Sequence, residues 1–245
     1  MKHLQAAAFT ATKAALQALA SCRSDAIASG TFIESLPREM KAAADEILEA
    51  VILKALRGTG CAILSEETGW VEGTGSSDLH WVIDPLDGTV NFVRDIATCG
   101  VSIALCRGDQ PIWGVVGEYP SGALFWGGRG YDAFCNGAQI HVSSVSKISE
   151  AVVCSGFPAR FEFNPTGLQW VSESLANFAK VRMLGAASQS LLAVARGAAE
   201  AYTERDIMLW DVAAGLAIVE GAGGVTRITK TNGDQLDVYA SNGLI

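Results

Sequence analysis

The chain has 245 residues, of which 49% are hydrophobic and 18% are charged, and this composition excludes an intrinsically disordered protein. It carries 26 Asp and Glu against 18 Lys and Arg, which gives a formal net charge of −8 at pH 7. Because binding to a nucleic acid polymer requires a surplus of basic residues, this balance argues against that class of partner. No stretch reaches the roughly 20 apolar residues of a membrane span, so we expect no membrane partner either.

Six cysteines are dispersed along the chain without a C-x-x-C pair, at positions Cys22, Cys61, Cys99, Cys106, Cys135 and Cys154. Only three histidines accompany them, so the sequence lacks ligands at the spacing of a structural zinc site. We interpret the cysteines as reduced, mostly buried thiols, which favours a cytoplasmic protein.

The first part of the chain predicts helices followed by short buried strands. Apolar residues recur at helical spacing near the start, whereas later apolar runs are short and bounded by turn residues. The expected elements are a helix over 3–22, a turn at 28–31, a helix over 37–57, a strand at 62–64, a Gly/Ser-rich loop at 69–77, a strand at 81–83 and a helix over 89–94.

Residues 100–142 read as an antiparallel meander, with glycines between apolar runs at 101–105, 112–116 and 123–126. Beyond residue 150, strands alternate with helices. The strands are expected at 152–154, 181–184, 199–203 and 225–228, and the helices near 167–178, 188–196 and 210–219. The pattern predicts an α+β domain over 1–150 and an α/β domain over 151–245 that pack tightly together.

Acidic residues follow the predicted strands at the points where those strands end. Glu66 and Glu67 come after one strand, Asp84 and Asp87 after another, and Asp211 opens a helix. If the two strands are neighbours in one sheet, these carboxylates can converge. Clustered carboxylates repel one another unless a cation lies between them, and oxygen ligands without His or Cys favour Mg²⁺ over zinc.

The segment Asp84-Pro85-Leu86-Asp87-Gly88-Thr89 combines metal ligands with a phosphate site. Proline removes a backbone donor, so the two aspartates can face one side with the Leu86 carbonyl between them. Gly88 and Thr89 open the predicted helix, whose first N–H groups can bind an anion. By itself, the segment from Asp84 to Thr89 would more often be a plain turn, and a pair of adjacent glutamates such as Glu66 and Glu67 is usually exposed to solvent. Together, the segment and the glutamates predict a multi-metal phosphoryl-transfer site.

Several segments resemble the inositol monophosphatase family, in family order and over nearly the whole chain. They are the stretch from Asp84 to Phe92, the stretch from Trp210 to Gly215, Ser65-Glu66-Glu67-Thr68, the stretch from Ala133 to Gly137, and Gly223-Gly224-Val225. The resemblance implies a layered αβαβα sandwich of the sugar-phosphatase type. It also implies a phosphoric monoester hydrolase that is inhibited by lithium, uses two or three Mg²⁺ ions and forms a homodimer.

The resemblance implies a metal-binding role for five positions. One Mg²⁺ would be held by Glu66, Asp84 and the Leu86 carbonyl, and a second by Asp84, Asp87 and Asp211. Glu66 would reach a third, more weakly held ion through water. Glu67 would support the ligands without binding metal.

Further positions are implied to bind the substrate or to orient water. Gly88 and Thr89 would bind the phosphate through backbone N–H groups, and the Thr89 hydroxyl, supported by Asp45, would orient the attacking water. The substrate-side positions are Gly185, Ala186, Ala187, Glu204 and Asp211. Glu204 would accept a hydrogen bond from a substrate hydroxyl.

The sequence also departs from the family pattern. Ala42 stands where the family has a threonine three residues before Asp45, the usual lysine has no clear counterpart, and Ala186 stands where the family often has Ser or Thr. Inositol-1-phosphate is the first expected substrate. The alternatives are a 3′(2′),5′-bisphosphate nucleotide, histidinol phosphate or a sugar bisphosphate. The departures also leave open an inactive relative that only binds a metal or a phosphorylated ligand.

Overall fold

The computed structural model describes residues 1–29, 43–157, 161 and 163–245. The α-helices in these residues are α1 (Lys2–Ser29), α2 (Ala43–Leu56), α3 (Thr89–Val93), α4 (Pro165–Leu175), α5 (Ala187–Ala195) and α6 (Leu209–Gly221). Short 3-10 helices cover Arg57–Thr59 and Ile148–Glu150. None of the described helices is long and apolar enough to cross a membrane.

The first sheet has eight strands in the order β2-β1-β3-β4-β5-β6-β7-β8. Strands β1 and β3 are parallel, whereas every other neighbouring pair is antiparallel. The meander expected over 100–142 is therefore present as β4 to β8. The strands are β1 (Ala62–Ser65), β2 (Gly69–Val71), β3 (Leu79–Asp87), β4 (Cys99–Arg107), β5 (Gln110–Tyr119), β6 (Leu124–Gly128), β7 (Tyr131–Cys135) and β8 (Ala138–Ile140).

The second sheet has five strands in the order β10-β9-β11-β13-β12. Strands β10, β9 and β11 are parallel, as an α/β pattern requires, but β12 and β13 form an antiparallel hairpin that pairs with β11. The strands are β9 (Val152–Ser155), β10 (Lys180–Arg182), β11 (Ala201–Met208), β12 (Val225–Lys230) and β13 (Gln235–Ser241).

The helices and sheets stack in five layers, and helices cover both faces of each sheet. In β4, Val101, Ile103 and Leu105 pack in the cluster that contains α1 and α2, and Ala104 and Cys106 pack in the cluster that contains α5 and α6. This alternation follows from the two-residue period of a strand. The second sheet covers α5 and α6 from the other side, and α4 packs on its outer face. The expected αβαβα sandwich is confirmed.

Some predicted element boundaries were wrong. Helix α1 continues to Ser29, so the turn expected at 28–31 does not begin at residue 28, and residues 30 and 31 lie outside the described residues. The helix expected over 37–57 is described from Ala43, and residues 37–42 again lie outside. The loop expected at 69–77 begins with the short edge strand Gly69–Val71, which pairs with β1.

Along the sequence, all strands of the first sheet precede residue 150 and all strands of the second sheet follow it. A domain boundary was expected at this residue. The first sheet uses strands between residues 62 and 140, and the second uses strands between residues 152 and 241. Helices α5 and α6 belong to the second half of the chain, yet they share one hydrophobic cluster with side chains of both sheets. The division into two domains stays a prediction.

Candidate active site

The acidic residues of the first sheet meet because β1 and β3 are parallel neighbours. Ser65 is paired with Ile83, and the Glu66 N–H donates to the Ile83 carbonyl at 3.3 Å. The carboxyl ends of the two strands therefore lie side by side. The pairing of β3 with β4 shifts register between Asp84 and Asp87, and this irregularity turns the segment between them out of the regular ladder.

Three carboxylates converge from distant parts of the chain. Glu66, Asp84 and Asp211 each offer an oxygen, and these oxygens lie within 4.8 Å of one another. Asp211 lies in the first turn of α6, where its Oδ2 accepts a hydrogen bond from the Met208 N–H at 3.1 Å. That bond fixes the side chain of Asp211 at the start of the helix. The convergence expected from the sequence is present for these three residues.

The electrostatics of this cluster favour the binding of a cation. Burial raises the pKa of Asp84 well above its usual range, and neighbouring carboxylates raise it further, namely Glu66, Asp87, Asp211 and Asp45. Burial also raises the pKa of Asp211, with Asp87 and Glu66 adding to the effect. Carboxylates this close cannot all ionise at neutral pH without a compensating charge. Their donor set consists of oxygen alone, so the residues present fit Mg²⁺.

Asp87 lies beside this cluster and contacts the start of α5. Its carboxylate accepts hydrogen bonds from the Ala187 N–H at 3.2 Å and the Ser188 N–H at 2.7 Å. The N-cap residue Ala186 has no side chain that could do this, so Asp87 caps the helix from another part of the chain. Burial raises the pKa of Asp87 to about 6, although its bonds to Ser188 and Ala187 lower it. Its expected role as a ligand of a second metal stays a prediction.

The hydroxyl of Thr89 donates to the Leu86 carbonyl at 3.0 Å, and the Leu86 N–H donates to Asp84 Oδ1 at 2.9 Å. The Leu86 carbonyl was expected to bind metal and the Thr89 hydroxyl to orient water. A carbonyl oxygen has two lone pairs, so the Leu86 carbonyl can accept this bond and still hold a cation. Because the Thr89 proton is directed at Leu86, the hydroxyl oxygen is left as an acceptor for a water.

Gly88 is required by both conformation and space. It precedes α3 with φ +84°, a left-handed conformation that favours glycine. A Cβ at this position would lie 3.0 Å from the Ala186 Cβ and 3.0 Å from the Thr98 carbonyl oxygen. The first N–H groups of a helix lack intrahelical acceptors, so those that follow Gly88 can bind phosphoryl oxygens.

Asn91 connects the phosphate segment, from Asp84 to Thr89, to Gly185, one of the positions expected to contact the substrate. Its Nδ2 donates to the Leu184 carbonyl at 2.7 Å and to the Thr98 carbonyl at 2.7 Å. These bonds place Gly185, which has φ +74°, against the Asn91 side chain. Although Asn91 lies within the motif singled out in the sequence, its partner Leu184 is 93 residues away in the chain, so no local pattern revealed this role.

Glu204 is a buried carboxylate at the substrate side, with 7% of its surface exposed. The Tyr202 hydroxyl donates to its Oε2 at 2.9 Å. Burial raises the pKa of Glu204 to about 7, the Tyr202 bond lowers it, and the charge of Asp87 raises it. The Gly156 backbone packs so closely that a Cβ there would overlap the carboxylate. Sequence reasoning identified Glu204 but missed Tyr202 and Gly156.

A cavity of about 690 Å³ is lined by most of the residues that the sequence predicted for the site. It is lined by Asp45, Glu66, Asp87, Gly88, Thr89, Gly185, Ala186, Ala187, Glu204 and Asp211, whereas Asp84 and Leu86 are buried and do not line it. The cavity lining also contains residues to which the sequence assigned no role, among them Asp206, Asn232, Asp234 and Gln235. Ala42 lies outside the described residues, so the departure there has no structural account.

A model of the inositol monophosphatase family matches residues 1–245. The chain is 35% identical over 215 residues to "Phosphatase IMPL1, chloroplastic" of Arabidopsis thaliana, and this match spans 82% of the chain but only 57% of that protein. It is 34% identical over 199 residues to the "Fructose-1,6-bisphosphatase/inositol-1-monophosphatase" of Aquifex aeolicus, spanning 81% of the chain and 74% of that protein.

The fold has a counterpart among solved structures. An inositol monophosphatase from Anabaena (Nostoc) sp. PCC 7120 superposes with a TM-score of 0.82 at 32% sequence identity, covering 99% of this chain and 92% of that one. The family match, the sequence identity and the layered fold agree with one another. The chain therefore belongs to the inositol monophosphatase family of phosphoric monoester hydrolases.

Proposed function

We propose that this protein hydrolyses a small phosphate monoester with Mg²⁺, and that inositol-1-phosphate is the first substrate to test. The observation that carries the proposal is the meeting of Glu66, Asp84 and Asp211, within 4.8 Å, at a cavity of about 690 Å³. Family membership supports the reaction class, and the Aquifex relative is named for both a fructose bisphosphatase and an inositol monophosphatase.

In this proposal Glu66, Asp84 and Asp211 hold Mg²⁺, with the Leu86 carbonyl and Asp87 completing a set for two or three ions. Bound Mg²⁺ would supply charge for the phosphoryl oxygens and lower the pKa of the attacking water. The carboxylates are held ready for this role. Asp211 is fixed by the Met208 N–H, and Glu66 follows a strand that is paired with β3.

The phosphate and the water are oriented by the chain itself. The backbone N–H groups of Gly88 and Thr89 bind the phosphoryl oxygens. The Thr89 hydroxyl donates to the Leu86 carbonyl, so its oxygen can accept a hydrogen bond from the water and hold it for attack. Asp45, which is 5% exposed and lines the same cavity, supports Thr89 in this task.

The alcohol part of the substrate lies against Gly185, Ala186 and Glu204. Glu204 accepts a hydrogen bond from a substrate hydroxyl, because a buried carboxylate that already has one fixed donor offers its remaining lone pairs to the cavity. The alternatives to an inositol phosphate remain a bisphosphate nucleotide, histidinol phosphate, a sugar bisphosphate, or binding without turnover.

A substrate panel tests the proposal. Phosphate release is measured from inositol-1-phosphate, histidinol phosphate, fructose-1,6-bisphosphate and a 3′,5′-bisphosphate nucleotide, with Mg²⁺ and with chelator. We expect turnover of a monoester only when Mg²⁺ is present, and inhibition of that turnover by Li⁺. Absence of turnover across the panel, in protein that binds Mg²⁺, would favour the inactive ligand-binding relative.

We also propose a cytoplasmic homodimer, on the strength of the family resemblance and the dispersed cysteines. Analytical ultracentrifugation tests the oligomeric state. A monomer across the micromolar range would contradict the dimer without affecting the proposed reaction.

A further inference from the structure

We propose that Glu49 is a positioning residue, which fixes the turn that carries Glu66 and thereby sets the affinity of the site for Mg²⁺. Glu49 lies on α2 and is only 6% exposed. It is a buried carboxylate that the proposed mechanism does not otherwise use. The inference rests on the proposed function, because it assigns the role of Glu49 through the metal ligand Glu66.

The hydrogen-bond partners of Glu49 flank the two acidic residues of the turn, Glu66 and Glu67, in the sequence. Its Oε1 accepts hydrogen bonds from the Ser65 hydroxyl and from both the N–H and the hydroxyl of Thr68, the last two at 3.1 Å. Ser65 immediately precedes Glu66, and Thr68 immediately follows Glu67. A single carboxylate oxygen therefore fastens both ends of the Glu66-Glu67 turn to helix α2.

The same helix carries Asp45, one turn before Glu49. Residues four apart on a helix lie on the same face, so the bond network ties the Asp45 side of the cavity to the Glu66 side. On its other side the turn is held by β3, through the bond from the Glu66 N–H to the Ile83 carbonyl. The ends of the turn are also joined where β1 pairs with β2, at Ser65 and Gly69, and Glu49 adds the attachment to helix α2.

The negative charge of Glu49 suits this task. Hydrogen bonds to an ionised acceptor are about twice as strong as those between neutral groups. A glutamine would keep one acceptor oxygen, but it would lack the charge and would bring two N–H donors into a pocket whose neighbours are themselves donors. Conserving the shape of the side chain while removing its charge therefore isolates the proposed role.

The test compares Glu49→Gln with Glu46→Gln, a matched change at an exposed position of the same helix. Mg²⁺ binding is measured by isothermal titration calorimetry, and phosphate release is measured as a function of Mg²⁺ concentration. Loss of a residue that supports a metal ligand typically costs 10- to 100-fold in metal affinity, so we expect Glu49→Gln to weaken Mg²⁺ binding roughly 10-fold or more. Saturating Mg²⁺ should restore most of kcat, and Glu46→Gln should bind Mg²⁺ as the original protein does.

A purely structural role predicts a different result. If Glu49→Gln lowers the melting temperature of the metal-free protein but leaves the Mg²⁺ affinity unchanged, the proposal is overturned. If Glu49→Gln does not fold, the double variant Ser65→Ala with Thr68→Val removes both hydroxyl donors from the same contact, and unchanged Mg²⁺ affinity in that variant overturns the proposal as well.

The calorimetry also separates this inference from the proposed function. A protein that binds Mg²⁺ in a Glu49-dependent way but hydrolyses no phosphate ester would refute the proposed function and support the role of Glu49. A protein that hydrolyses the ester while Glu49→Gln leaves Mg²⁺ binding intact would do the reverse.

Discussion

Three acids of the site are each held in place by a particular hydrogen-bond donor. Asp87 accepts from the N-terminus of α5, Asp211 from the Met208 N–H, and Glu204 from the Tyr202 hydroxyl. Such bonds orient a carboxylate in advance and reduce the reorganisation needed when a ligand arrives. At this scale, charge and hydrogen bonding can be separated by isosteric substitutions.

Asp84→Asn keeps the size of the side chain and removes a buried charge. We expect kcat to fall by several orders of magnitude, because a metal ligand is lost. The melting temperature of the metal-free protein should hold or rise, since burial and neighbouring carboxylates disfavour the ionised form of Asp84. Kinetics and thermal unfolding with and without Mg²⁺ test both parts, and near-normal turnover would refute the assignment of Asp84.

Tyr202→Phe removes one hydrogen-bond donor from Glu204. Because that bond lowers the pKa of Glu204, its loss should move the pKa above about 7 and reduce the ionised fraction at neutral pH. We expect KM at pH 7 to rise roughly 3- to 10-fold, the effect of one lost hydrogen bond, with little change in kcat. The dependence of KM on pH should shift to higher pH, and an unchanged profile would exclude the role assigned to Tyr202.

At the scale of elements, close backbone approaches decide how the segments of the site fit together. The phosphate segment before α3 packs against Ala186 at the start of α5, and Gly88 leaves no room for a side chain there. The hairpin of β12 and β13 contributes Asn232 and Asp234 to the cavity wall. The alternation of buried Leu236, Val238 and Ala240 along β13 was present in the sequence, but it was not identified.

Gly88→Ala tests this packing against a matched control. Gly130 has φ +81° but no neighbouring atom within 4 Å of a Cβ, whereas Gly88 has φ +84° and neighbours at 3.0 Å. Gly130→Ala should therefore cost about 1–2 kcal/mol, for backbone conformation alone. Gly88→Ala should cost more, because the Ala186 side chain and the Thr98 carbonyl must also move. Denaturant unfolding of the two variants measures the difference, and equal losses would contradict the close packing.

At the scale of the whole molecule, two sheets enclose a pair of helices, and buried acids lie where the layers meet. Asp87 bonds a strand of the first sheet to α5, and α5 packs under the second sheet. Helix α6 has all of its residues from Val212 to Val219 buried, as expected for a helix enclosed between layers. The carboxylates are therefore embedded in the core of the fold, and their protonation affects its stability.

The metal-free protein should lose stability as pH rises between about pH 4 and pH 7. The pKa of Asp87 is raised to about 6 and that of Glu204 to about 7, and those of Asp84 and Asp211 are also raised. The native state then binds more protons than the unfolded chain in this window, so the free energy of unfolding falls with pH.

Thermal unfolding at pH 5 and pH 7.5 in chelator checks this prediction. The melting temperature should be higher at pH 5, and Mg²⁺ should raise it more at pH 7.5, where the carboxylates bind the ion without first losing protons. A metal-free protein that is more stable at pH 7.5 would contradict the raised pKa values.

The sequence by itself predicted the chemistry of the site. Carboxylates at the ends of short buried strands, with neither His nor Cys beside them, were sufficient to predict a site of oxygen ligands for Mg²⁺. The family motifs were sufficient for the layered fold, and local periodicity located most helices and strands. These features are encoded within a few neighbouring residues, so they can be read without knowing which segments meet.

Only the tertiary structure decided which partners each acid has. Three contacts join residues far apart in the chain. Strand β1 pairs in parallel with β3, Asp87 caps α5, and Glu49 accepts hydrogen bonds from the turn after β1. Such contacts depend on how whole layers pack together, because a hydrogen bond forms only between groups that packing has already brought within about 3 Å. No local pattern contains that information.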